Sequence, residues 1–145
     1  MRIAVGSDHA GFVLKEHVKA TLIAAGHDVA DVGTASAESV DYPQYAADAA
    51  RAVATGDAER AVLACGSGNG VAIAANKVAG IRAVNAHDPD EAEMARRHND
   101  ANVITLSGAR LAPGEADAIV ARFLSAPFEG GRHQRRVDQI AQIEP

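Results

Sequence analysis

A three-layer α/β sandwich built on five mostly parallel strands is the fold this chain predicts, from three observations. Short apolar runs alternate with longer amphipathic ones over all 145 residues. The amphipathic runs have crossover length, which makes the strands they join parallel and covers both faces of the sheet with helices. Apolar residues make up 48% of the chain but aromatics only 3%, and Trp is absent, so the core must be packed from Ala, Val, Ile and Leu.

The elements follow in order. Residues 2–6 are a short apolar run that reads as a buried strand. A helix over 11–25 is marked by Val13, Leu14, His17, Val18, Thr21 and Leu22 at helical spacing, and Gly26 stops it. Residues 27–32 read as a second strand. Asp41-Tyr42-Pro43 opens a second helix that runs to about Thr55, with Asp41 placed to cap it and Pro43 tolerated in the first turn. Residues 60–65 form a third strand, followed by the glycine loop Gly66-Ser67-Gly68-Asn69-Gly70 and a short helix over 71–78. A fourth strand covers 80–85, a helix capped by Asp88 covers 89–98, a fifth strand covers 102–106 and a helix covers 113–124. After the loop Pro127-Phe128-Glu129-Gly130-Gly131, a last helix over about 132–143 follows a sheet that is already complete. Its apolar stripe, Val137, Ile140 and Ala141, packs either on its own domain or on a second chain. The whole is a Rossmann-like sandwich in a single domain, residues 1–145, with no internal repeat.

Charge and composition narrow the function. The formal net charge is −5, so a general attraction to nucleic acid or to anionic lipid is not expected. Scarce aromatics also argue against base stacking on single strands. The single cysteine, Cys65, excludes an internal disulfide framework and suits a reducing compartment. No apolar run reaches signal-peptide or membrane-spanning character, so the cytoplasm is the expected location. The six histidines are dispersed and no His-Glu-x-x-His occurs, so neither metal nor cofactor is expected. No Gly-x-Ser-x-Gly elbow supports serine hydrolysis.

In an open parallel sheet, ligands bind beyond the carboxyl ends of the strands. Those ends carry Ser7-Asp8-His9 after the first strand, Cys65 and the glycine loop after the third, and Asn85 after the fourth. The loop, Gly-x-Gly-x-Gly, reads either as a plain tight turn or as a cradle of backbone N–H groups for a phosphate or a developing oxyanion. It is neither a dinucleotide fingerprint nor a nucleotide P-loop. Cys65 is either an inert strand residue or a thiol beside amides and a helix start that stabilise charge on sulfur. Asp8 either caps the first helix or serves the crevice with His9. His98 and Asn99 end the fourth helix, where the dipole alone already favours a histidine. Arg132 and Arg136, four apart, share a helix face and suit a phosphate clamp, or are simply surface charge. Arg110 is a third candidate, and Arg135 points elsewhere.

Six segments in order, Gly6-Ser7-Asp8-His9-Ala10-Gly11, Asp41-Tyr42-Pro43, Cys65-Gly66-Ser67-Gly68-Asn69-Gly70, Ala74-Ala75-Asn76-Lys77, His98-Asn99-Asp100 and Glu129-Gly130-Gly131-Arg132-His133, resemble the ribose-5-phosphate isomerase B family. The wider group includes the subunits of galactose-6-phosphate isomerase. The resemblance implies metal-free aldose–ketose isomerisation through a cis-enediolate, in the pentose phosphate pathway. It implies Cys65 as the base between C2 and C1, assisted by Ser67, with the amides of Gly66, Ser67, Gly68, Asn69 and Gly70 holding the enediolate oxygen. It implies His98 and Asp8 for ring opening, and Asn99 for sugar hydroxyls. His9, Arg132, Arg136 and Arg110 would hold phosphate, and Tyr42 would line the pocket. Some members lack the cysteine and use a glutamate just after the glycine loop. That position here is Val71, so the chain resembles the cysteine type.

Two other classes fit less well. A non-catalytic sugar-phosphate or nucleotide sensor leaves Cys65, His98 and Asp8 without purpose. A phosphoacceptor receiver needs an acidic cluster for magnesium, which a lone Asp8 does not make. The expected partners are a small sugar phosphate and a second copy of the chain, as a homodimer or homotetramer with the last helix at the interface, and the resemblance implies that His98-Asn99 are supplied by the neighbour. Ribose 5-phosphate leads as substrate, ahead of a four- or six-carbon sugar phosphate.

Overall fold

A parallel sheet covered on both faces needs strands that are apolar throughout, and the central strands meet that need. The structure is a computed structural model and describes residues 1–145. β1 (Arg2–Ser7) and β3 (Arg60–Cys65) are buried beyond their first residue, and β5 (Val103–Ser107) is buried along its whole length. β2 (Asp28–Asp31) and β4 (Ala83–Asn85) are the short edge strands. All pairings are parallel, in the order β2-β1-β3-β5-β4.

The helices are α1 (Phe12–Ala24), α2 (Tyr42–Ala54), α3 (Asn69–Ala75), α4 (Pro89–Asn99), α5 (Pro113–Ser125) and α6 (Arg132–Ala141). One face of the sheet packs against α1, α4 and α5 through residues such as Leu14, Val18, Ile119 and Phe123. The other packs against α2 and α3, where Ala46, Ala49, Ala50 and Ala75 let the helices lie close to the strands. The expected five-stranded three-layer architecture is the one observed.

The differences have local causes. α3 starts at Asn69, two residues earlier than the pattern suggested, because the end of the glycine loop is itself the first helical turn. It stops at Ala75, since Asn76 turns to β4: its side chain donates to the carbonyl of Ala83 at 2.9 Å and accepts from the Ala83 N–H at 2.7 Å. Asp41 precedes α2 in extended conformation but makes no side-chain cap, whereas Asp88 caps α4 by accepting from the Glu91 N–H at 2.9 Å. Val13, expected on the buried stripe of α1, is exposed. The α6 stripe divides: Val137 is buried on its own domain, while Ile140 stays 42% exposed.

From β1 the chain first builds outward to β2 and later places β3 on the other side of β1. The sheet therefore reverses its direction of growth between β1 and β3. Loops leaving the two strands diverge there, which is where a sheet of this kind places its ligand crevice.

Candidate active site

The crevice is lined by the carboxyl ends of β1, β3 and β5. Cys65, the last residue of β3, is 4% exposed, and its Sγ accepts the Gly68 N–H at 3.1 Å. Gly68 can turn its amide onto the sulfur because it sits at φ +82°, a left-handed conformation that glycine adopts freely. A side chain there would also collide, since a Cβ would lie 2.2 Å from Asn85 Oδ1. Ser67 Oγ accepts the Asn69 N–H at 3.1 Å, so this hydroxyl braces the loop as well as facing out of it. Tyr42, from the start of α2, packs against the loop: a Cβ on Gly70 would fall 2.4 Å from its Cζ.

Asp8 and His9 come from the adjacent end of β1. Asp8 is buried, and its Oδ1 accepts the Gly11 N–H at 3.0 Å within the turn that leads into α1, whose N-cap, Gly11, has no side-chain cap. That contact engages one carboxylate oxygen. His9 Nδ1 stands 3.2 Å from both the N–H and the carbonyl of Val40, so the 33–41 loop holds its ring. Arg110 is exposed just beyond β5, on the same edge of the sheet.

Sequence reading missed Lys15, because lysine on an amphipathic helix is ordinarily surface. Here it is buried, and its Nζ donates to Asp31 at 2.8 Å and to the carbonyl of Thr34 at 2.8 Å, tying α1 to the loop after β2. Burial alone would raise the Asp31 pKa, but Lys15, Lys19 and the Gly33 N–H together hold it below its usual value.

His98, Asn99, Arg132 and Arg136 lie elsewhere. α4 begins at the crevice edge, and its eleven residues carry His98 and Asn99 about 16 Å toward the opposite edge. There the Asn99 carbonyl accepts Arg82 Nε at 2.9 Å, at the amino end of β4. His98 stacks on His133 of α6, with ring centroids 4.2 Å apart and planes 8° from parallel. Glu129 Oε2 stands 3.9 Å from His98 Nε2 and 3.5 Å from His133 Nε2, while Oε1 accepts Arg97 Nε at 2.6 Å. The Arg97 guanidinium, the largest influence, holds the Glu129 carboxyl below the usual carboxylate range. One chain therefore brings together Cys65, Ser67, Asp8, His9, Tyr42 and the loop amides, and separately His98, Asn99, Arg132 and Arg136, but not the two sets.

His98, Glu129 and His133 also form the one group with metal-ligand spacing, their donor atoms lying within 4.8 Å of one another. The in-plane lone pairs of rings this nearly parallel lie in separate planes, so the two imidazoles do not converge on one ion as they stand. The cluster reads as an imidazole pair over a carboxylate.

Residues 3–140 match the family described as Ribose/Galactose Isomerase. The chain belongs to that family. It is 48% identical over 143 residues to the ribose-5-phosphate isomerase B of Escherichia coli, covering 99% of this chain and 96% of the relative. Among solved structures, the ribose-5-phosphate isomerase B of Clostridium thermocellum superposes with a TM-score of 0.98 at 44% identity, over 99% of this chain and 97% of the other. The ribose-5-phosphate isomerase B of Mycoplasma genitalium with bound ribulose-5-phosphate superposes with a TM-score of 0.94 at 40% identity, over 99% and 95%. The family match thus spans both residue sets. No helix is long and apolar enough to cross a membrane.

Proposed function

We propose that the chain is an aldose–ketose isomerase that interconverts ribose 5-phosphate and ribulose 5-phosphate through a cis-enediolate, with Cys65 as the base. The observation that carries the reading is the Cys65 sulfur held by a loop amide at the end of a central strand, in a family with a ribulose-5-phosphate complex among its members. The thiolate is the form of such a sulfur that can take a proton from carbon.

Each step has a group assigned to it. Ring opening moves one proton onto the ring oxygen, from His98, and one off the anomeric hydroxyl, to Asp8. Cys65 then takes the C2 proton, and the amides of Gly66 to Gly70 receive the oxyanion that develops. The thiol returns its proton to C1, and the O2 proton reaches O1 with help from Ser67. Asn99 meets sugar hydroxyls and Tyr42 lines the pocket. His9 and Arg110, with Arg132 and Arg136, bind the phosphate, whose binding energy orients the reacting carbons.

This assignment needs a second copy of the chain to supply His98, Asn99, Arg132 and Arg136. A groove of about 640 Å³ supports that arrangement because it lies away from Cys65, along the β4 edge, lined in part by Ile81, Val84, Asn99, Ile140 and Ile143. We read it as the seat of a homodimer, whether or not dimers pair further. A reducing compartment such as the cytoplasm would keep the lone thiol free.

The test is exchange of the substrate C2 proton with solvent deuterium. Cys65→Ala should lose about a thousandfold in kcat and in exchange, as expected for a deleted general base, with ribose 5-phosphate still bound. Exchange at the native rate would assign the base elsewhere. A panel of four-, five- and six-carbon aldose phosphates ranked by kcat/KM checks the sugar.

A further inference from the structure

We infer that Asn85 and Thr105, with Ser107 in support, are positioning residues that set the glycine loop by holding its carbonyls from behind. This rests on the role proposed above for the loop amides. Three consecutive carbonyls are each met by a side-chain donor from β4 or β5. Ser107 Oγ donates to Gly66 O at 2.7 Å, Asn85 Nδ2 to Ser67 O at 3.2 Å and Thr105 Oγ1 to Gly68 O at 2.8 Å. The backbone continues the pattern, with the Gly108 N–H on Cys65 O at 2.8 Å and the Ala109 N–H on Gly66 O at 3.1 Å.

A trans peptide is planar, so its C=O and its N–H point in opposite directions. Holding a carbonyl therefore aims the next amide. Asn85 holds Ser67 O, and the N–H across that same peptide is the Gly68 amide, which lies 3.1 Å from Cys65 Sγ. Thr105 holds Gly68 O, and the N–H across that peptide belongs to Asn69, which is turned onto Ser67 Oγ. The loop is thus fixed on its far side before a substrate arrives, which is what preorganised donors require.

The burial of these groups marks them as more than packing. Thr105 is fully buried in the sheet, where valine would fill the same space without a polar atom. Asn85 carries a buried Oδ1 with no partner, a cost that an apolar side chain would avoid. Its orientation is set all the same: Nδ2 faces Ser67 O and also donates to Asn69 Oδ1 at 2.7 Å, where an oxygen would be repelled. Ser107 shares Gly66 O with a backbone amide, so its loss is partly covered, and the weight falls on Asn85 and Thr105.

The experiment compares Asn85→Leu, Thr105→Val and Thr105→Ser with the unaltered protein. Two quantities are read: the rate at which iodoacetamide alkylates Cys65 at fixed pH, and kcat and KM for ribose 5-phosphate. Cys65 is the only cysteine, so alkylation reports a single site. Asn85→Leu and Thr105→Val should each lower kcat about tenfold or more with KM little changed, as for a weakened oxyanion donor, and should slow alkylation in parallel. Thr105→Ser, which keeps the hydroxyl, should restore both. If Thr105→Val does not fold, Asn85→Leu at the half-buried sheet edge carries the test alone. Folded variants that match the unaltered protein in both rates overturn the inference. Slower alkylation in the variants, with no ribose 5-phosphate turnover even by the unaltered protein, would reject the proposed activity and leave the positioning role standing.

Discussion

His133 lies buried beneath His98, and burial, the neighbouring imidazole and the Arg132 and Arg136 guanidiniums all push its pKa below the ordinary 6.5, with Glu129 pulling the other way. The folded value is the depressed one, so as pH falls the unfolded chain takes up the proton first. The stability tied to a neutral His133 is complete above about pH 6.5 and is lost as pH drops through the lower folded value. The thermal midpoint should therefore fall between about pH 7.5 and 5.5 more steeply in the unaltered protein than in His133→Gln. Equal slopes would mean that folding leaves the His133 pKa unshifted. In the sequence His133 was visible only as the end of the Glu129-Gly130-Gly131-Arg132-His133 segment. Its stacking on His98 joins two helices far apart in sequence, and no local pattern encodes such a contact.

At the scale of elements, α3 and α2 meet where Tyr42 lies on Gly70. Gly70→Ala should displace the Tyr42 ring and lower stability by roughly 1–3 kcal/mol, the usual cost of overpacking. Adding Tyr42→Ala opens the space, so the double variant should be more stable than the two single losses predict; strict additivity in chemical denaturation would show that the ring does not block that position. Most of this architecture was legible. Apolar runs marked the strands, Pro43, Pro89 and Pro113 marked helix starts, and glycines marked the crevice. Sheet order was not legible, because every crossover looks alike in sequence. With it were hidden Thr105 and Ser107, which act on the loop only because β5 lies beside β3, and the role of Asn85, whose place at a strand end was plain but whose contact was not. The shortened β4 was hidden for a similar reason: Asn76 stands in for a strand partner through its side chain.

For the whole molecule, the separation of Cys65 from His98 is the governing fact. Mixing inactive Cys65→Ala protein with inactive His98→Ala protein should regenerate one intact site per mixed dimer, and roughly a quarter of the unaltered activity at equal proportions after full exchange. If exchange is demonstrated and no activity returns, both residues act within one chain; a monomer by light scattering would reject the shared site sooner. The parallel sheet carries one more consequence, for the time course of folding. Ile3 pairs with Arg60 and Ala61 with Val103, so the central ladder forms only after loops of about forty to sixty residues have closed. Such distant pairings make a chain slow to fold, whereas its helices form from neighbours. Cys65 and the strand end that holds its loop from behind stand on two sides of that late ladder. The geometry of the proposed site is therefore among the last things the folding chain acquires, and helical content will run ahead of enzymatic competence.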